Sequence, residues 1–106
     1  MAGEVLTEVS AFVEPGREQE LVAGFERLVR GQVPDGLLRT ELLRGSGNSW
    51  RIETLWRDGA ALEAMRSSGQ PPAAPQLFAS VGAEPILAIF DLAIAYAAKT
   101  AGQSAT

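Results

Sequence analysis

A chain of 106 residues is short enough to form one domain, with a modest core that a partner surface would help to cover. Nine Lys and Arg against 13 Asp and Glu leave a net charge of −4, which lacks the electrostatic footprint of a nucleic-acid binder. Cysteine and histidine are both absent. Disulfides, Cys or His zinc sites, thiol nucleophiles, His-dependent triads and His or Cys haem ligands are therefore excluded.

Near Met1 no basic region precedes an apolar one, so no signal peptide is expected. The most apolar stretch, 85–98, is too short to span a bilayer and carries Asp91. No membrane partner is expected, and the expected location is cytoplasmic. Residues 1–98 read as a single domain and residues 99–106 as a flexible tail.

Residues 4–13 alternate as a strand. Val5, Thr7, Val9, Ala11 and Val13 share one face; Leu6, Glu8, Ser10 and Phe12 share the other. Pro15-Gly16 stops it. Residues 17–30 carry an apolar stripe at helical spacing, namely Leu21, Phe25, Leu28 and Val29 with Val22 beside them. Glu18 and Glu20 in the first turn and Arg27 and Arg30 near the end suit the helix dipole, and Gly31 suits the C-cap. Val33-Pro34-Asp35-Gly36 is a turn by composition.

Residues 37–43 and 49–57 read as a hairpin around Gly45-Ser46-Gly47-Asn48. Charge sets the expected register: Leu43 opposite Ser49, Glu41 opposite Arg51 and Arg39 opposite Glu53. Leu38, Thr40, Leu42, Trp50, Ile52, Thr54 and Trp56 then share the other face. Asp58 N-caps a helix over 59–67, with Ala61, Leu62 and Met65 inward. Gly69-Gln70-Pro71-Pro72 breaks it. Residues 75–81 form a further turn or two with Leu77, Phe78 and Val81 inward, ended by Gly82. Residues 86–96 read as a strand, because the first strand needs a partner. The order β-α-β-β-α-β then closes into an α+β, ferredoxin-like antiparallel sandwich.

Helices cover only one face of such a sheet, and the Trp-bearing face is expected beneath them. The opposite face is expected to hold Leu6, Glu8, Phe12, Arg39, Glu41, Leu43, Arg51, Glu53, Leu55, Leu87, Ile89 and Asp91. That mixture is too apolar for water and too charged for an ordinary core, which suits packing on a second copy as a homodimer. Between helices and sheet, Trp50, Trp56, Thr40, Thr54, Met65, Phe25, Phe78 and Tyr96 are expected to line a pocket for a flat aromatic small molecule. Arg66, beside Met65, is placed to meet a phenolate or peroxide anion. No carboxylate is expected on the pocket face. The competing reading makes the same residues simply the core of a small protein. Glu8, Glu53 and Asp91 are not expected to bind metal, because Arg39 and Arg51 supply their partners.

At this point the chain resembles the antibiotic biosynthesis monooxygenase family of the dimeric α+β barrel superfamily, over about residues 4–96. The resemblance is carried by the Val-rich first strand, by Glu14-Pro15-Gly16-Arg17-Glu18-Gln19-Glu20-Leu21, by Pro34-Asp35-Gly36-Leu37-Leu38-Arg39-Thr40-Glu41-Leu42, and by Thr54-Leu55-Trp56-Arg57-Asp58 followed by Ala61-Leu62-Glu63-Ala64. It implies a dimeric barrel and an activity such as cofactor-free oxygenation of aromatic polyketides, quinol oxygenation or haem degradation. The family's Trp at the end of the third strand matches Trp56, which the resemblance implies as catalytic. A His on the second helix, the iron ligand of haem-degrading members, is matched by Met65, so haem is not expected. An Asn four residues before the family's Trp is matched by Ile52.

The function so implied is a cofactor-independent monooxygenase acting on a polyketide- or quinol-type aromatic, with no cofactor. The alternatives are a non-catalytic binding or accessory dimer, or a cyclase or isomerase on the same scaffold. The chemistry needs little from the protein. An electron-rich phenol or anthrone, once deprotonated, can itself hand an electron to O₂, so the protein binds it, helps remove a proton and excludes water.

Overall fold

Period-two alternation of burial marks the first strand of the computed structural model, which describes residues 3–98. The expected tail, 99–106, lies outside the described residues. Strand β1 (Val5–Phe12) is followed by a single 3₁₀ turn (Pro15–Arg17) and helix α1 (Glu18–Arg30). Then come β2 (Leu37–Arg44), β3 (Ser49–Trp56), α2 (Gly59–Arg66), α3 (Ala73–Ser80) and β4 (Ile86–Asp91). The four strands form one antiparallel sheet in the order β2-β3-β1-β4. The fold is α+β and ferredoxin-like, with the helices on one face of the sheet. Among the described residues no helix is long and apolar enough to cross a membrane.

The Trp-bearing face lies beneath the helices as expected. Val9, Ala11, Val13, Trp50 and Ile52 pack with Leu21 of α1, with Phe78 of α3 and with Val81. A second cluster joins Val5 and Trp56 to Ala61 and Leu62 of α2. Asp58 caps α2, its Oδ1 accepting the Ala61 N–H at 2.8 Å. Gly31 closes α1 through its N–H to Arg27 and Leu28 carbonyls.

Three expectations are corrected. The hairpin register is shifted by two residues: Leu43 faces Arg51, Glu41 faces Glu53 and Arg39 faces Leu55. The turn decides this. Gly47 and Asn48 adopt φ of 63° and 66°, and the Gly45 N–H bonds the Ser49 carbonyl at 2.7 Å, so the loop closes on Gly45 and Ser49 whatever the charges prefer. Second, a bulge between Leu37 and Arg39 puts Leu37, not Leu38, on the helix side. Third, β4 is shorter and turned over relative to the expectation. It ends at Asp91, because β1 offers no further partner beyond the bond from Leu92 N–H to the Glu4 carbonyl. Its pairing sets Leu87, Ile89 and Asp91 opposite Val9, Thr7 and Val5, on the covered face. Ile86, Ala88 and Phe90 take the open face instead.

On that open face Glu53 stands between Glu8 and Glu41 in the ladder. Like charges so placed repel. Arg51 offsets this by reaching Glu8 at 3.2 Å and Glu53 at 3.6 Å, while Arg39 turns to Glu41 of its own strand at 3.4 Å. Glu8 and Glu53 are thus matched by arginine, and Asp91 sits on the other face. Among the described residues no group of three acidic side chains is arranged to hold a metal.

Candidate functional site

Helix α1 covers the sheet only with its first half. Leu21 and Gly24 are buried, and Gly24 is bare because a Cβ there would meet Leu77 Cδ1 of α3 at 2.5 Å. The second half of α1, with Phe25, Leu28 and Val29, lines a cleft of about 730 Å³ above the sheet. This is within the size range of small-molecule sites. Its floor is Thr7 and Val9 of β1, Ile52, Thr54 and Trp56 of β3, Thr40 of β2, and Leu87 and Ile89 of β4. Its rim holds Gln32 and Asp35 from the loop after α1, and Arg66, Ser68 and Gln70 from the end of α2. Prolines 71, 72 and 75 stiffen the far wall.

The floor is apolar except for one hydrogen-bonded group. Trp56 Nε1–H donates to Thr7 Oγ1 at 3.1 Å, and Thr7 in turn reaches the main-chain carbonyl of Thr54 at 3.5 Å. Thr40 donates to the Glu53 carbonyl at 3.2 Å and lies 2.9 Å from the Thr54 hydroxyl. Thr7 and Thr54 are both buried. Trp56 lines the cleft while only 4% exposed, its N–H held by Thr7.

Of the residues expected at the pocket, Trp56, Thr40, Thr54, Met65, Arg66 and Phe25 line the cleft together. The others do not. Trp50 is 3% exposed and belongs to the core beside Phe78, which is fully buried. Arg44, 4.7 Å from the indole centroid, closes Trp50 off from solvent. Tyr96, beyond the end of β4, is 88% exposed and away from the cleft. Sequence reasoning missed Thr7, although the alternation of β1 puts it as the one hydroxyl in a valine stripe. It also missed Leu87 and Ile89, lost with the β4 facing, and Asp35, the one carboxylate among the lining residues, which a loop rather than a strand carries.

A split β-α-β sandwich with a cleft between sheet and helices defines an α+β, ferredoxin-like domain. The profile of the antibiotic biosynthesis monooxygenase family matches residues 5–74, well over half of the chain, and the protein belongs to that family. Solved structures share the fold. SnoaB, a cofactor-independent oxygenase from Streptomyces nogalater, is similar at 22% identity with a TM-score of 0.58, over 94% of this chain and 98% of SnoaB. A candidate antibiotic biosynthesis monooxygenase from Deinococcus radiodurans is similar at 11% identity with a TM-score of 0.68, over 91% and 99% of the two chains. Another from Caulobacter crescentus CB15 is similar at 18% identity with a TM-score of 0.65, over 85% and 90%. No curated protein matches the sequence.

Proposed function

We propose that the protein is a homodimeric, cofactor-independent monooxygenase of the cytoplasm that acts on an electron-rich aromatic of the polyketide or quinol type. The observation that carries this reading is the cleft. A cleft lined by Trp56, Phe25 and Met65 with threonines among its residues suits an aromatic ring system bearing oxygen substituents, and family membership supports the reaction class. Trp56 contributes its ring face, against which the substrate stacks. For an anthrone, deprotonation gives a carbanion that passes an electron to O₂. The methylene carbon takes up one oxygen atom as a carbonyl, and the second leaves as water with the two hydrogens. Asp35 at the rim is the carboxylate nearest in kind to a proton acceptor, and Arg66 on the same rim faces the anion so formed.

The test is oxygen uptake with dithranol, an anthrone, in buffer treated with a chelator. Protein-dependent uptake with one labelled atom from ¹⁸O₂ in the product is expected. Trp56→Ala is expected to slow it at least about tenfold, as loss of a positioned aromatic wall does. Binding without uptake across anthrones and quinols would instead support the accessory-dimer reading. Product formed without O₂ would support a cyclase or isomerase.

A further inference from the structure

We infer that the floor of the cleft is a hydrogen-bond acceptor, so that it selects aromatic ligands carrying a free hydroxyl and orients that hydroxyl on Thr54 Oγ1. The inference deepens the proposed function and rests on the cleft being the ligand site.

The floor has four polar hydrogens: three threonine hydroxyls and the Trp56 indole N–H. The indole hydrogen goes to Thr7 Oγ1, and the Thr7 hydrogen points to the Thr54 carbonyl. Thr40 has two oxygens within reach, the Glu53 carbonyl and Thr54 Oγ1, and one hydrogen. Only one arrangement satisfies both contacts: Thr40 donates to the carbonyl, and Thr54 donates to Thr40. Such a chain also reinforces itself. All four hydrogens are then committed inside the protein.

The lone pairs are not. Each hydroxyl oxygen can accept twice. Thr7 has accepted once from Trp56 and Thr40 once from Thr54, whereas Thr54 Oγ1 has accepted from neither. Thr54 is also a cleft-lining residue and is buried, with Thr7 and Thr40 opposite it and Ile52 and Trp56 beside it on β3. A ligand O–H seated there gains a hydrogen bond. A ligand carbonyl or ether oxygen seated there meets lone pairs and loses its hydration without replacement, a penalty that discriminates more strongly than the bond itself.

The experiment is calorimetric titration with α-naphthol and with its methyl ether, which differ only in the hydroxyl hydrogen. Wild type is expected to bind the naphthol about fivefold more tightly or better. In Thr54→Val the ratio is expected to fall to about one, and Thr54→Ser should restore it. Thr40→Val frees the Thr54 hydrogen to point into the cleft, so the methyl ether is expected to gain affinity there while the naphthol does not. A ratio near one in wild type, or one unaltered by Thr54→Val and Thr40→Val, would overturn the inference and leave the cleft as the ligand site. Failure of both naphthalenes to bind at all would overturn the inference and the proposed site together.

Discussion

Single atoms account for much of how this small sheet closes. The Thr7 hydroxyl is the partner of the Trp56 indole N–H, so Thr7→Val strands a buried donor. Loss of about 1–3 kcal/mol is expected, read as a lower urea midpoint; an unmoved midpoint would refute the bond. Gly36 makes a different kind of contribution. It holds φ at 88°, and a Cβ there would collide with Ala61 of α2. Its carbonyl meanwhile accepts the Arg57 N–H at 2.8 Å, tying the start of β2 to the end of β3. Gly36→Ala is expected to cost about 1–3 kcal/mol for the backbone conformation alone and to shift α2, visible as altered amide signals at Ala61 and Leu62.

Elements are joined by turns, caps and a few charged contacts. Arg17, at the head of α1, pairs with Glu20 and donates to the Ser80 carbonyl at the end of α3 at 3.1 Å. The hydrogen bond to Arg17 holds the Glu20 carboxyl below its usual range, and that same bond raises Arg17. A depressed carboxyl contributes stability above its unfolded-state value and loses it as pH falls through the lower, folded one. Acidification past the ordinary carboxylate range is therefore expected to loosen the α1–α3 contact. An NMR titration should find Glu20 protonating below the ordinary glutamate range, with the gap narrowing in high salt.

Period and capping made the elements legible in the sequence: α1, the hairpin and the Asp58 cap are all where local signals place them. Register was not legible. The hairpin's charges favour one pairing by a few tenths of a kcal/mol per pair, whereas Gly47 and Asn48 fix another through backbone conformation. The length of β4 was hidden for a related reason, since Leu92, Ile94 and Tyr96 continue its alternation after β1 has run out. The site was half legible: strand alternation brought Thr40, Thr54 and Trp56 together, but it could not tell that Trp50 would be sealed by Arg44.

As a whole molecule the described residues are more spread than a domain of their size. Their radius of gyration is 15.0 Å, against about 13 Å for a compact chain of about 100 residues. One face of the sheet is uncovered. Phe12 is 73% and Ile86 67% exposed there, alongside Phe90, Leu38 and Leu43. Exposed apolar residues interleaved with paired charges on one face suit an interface, which supports the proposed homodimer. Sedimentation at micromolar concentration is expected to find a dimer, with a melting temperature that rises with protein concentration. Phe90→Glu, which sets a charge amid that surface, is expected to give a monomer. A wild-type chain that sediments singly would refute this assembly.

The one-residue irregularity in β2 has a consequence for what the cleft can recognise. Leu37 and Thr40 are three apart, and a regular strand would aim them in opposite directions. With Leu38 spilled outward, both reach the same cavity. The surplus residue thus lets one strand lay grease at one end of the binding floor and a hydroxyl at its middle. Drawing Leu38 back into a regular ladder would force a choice between the two.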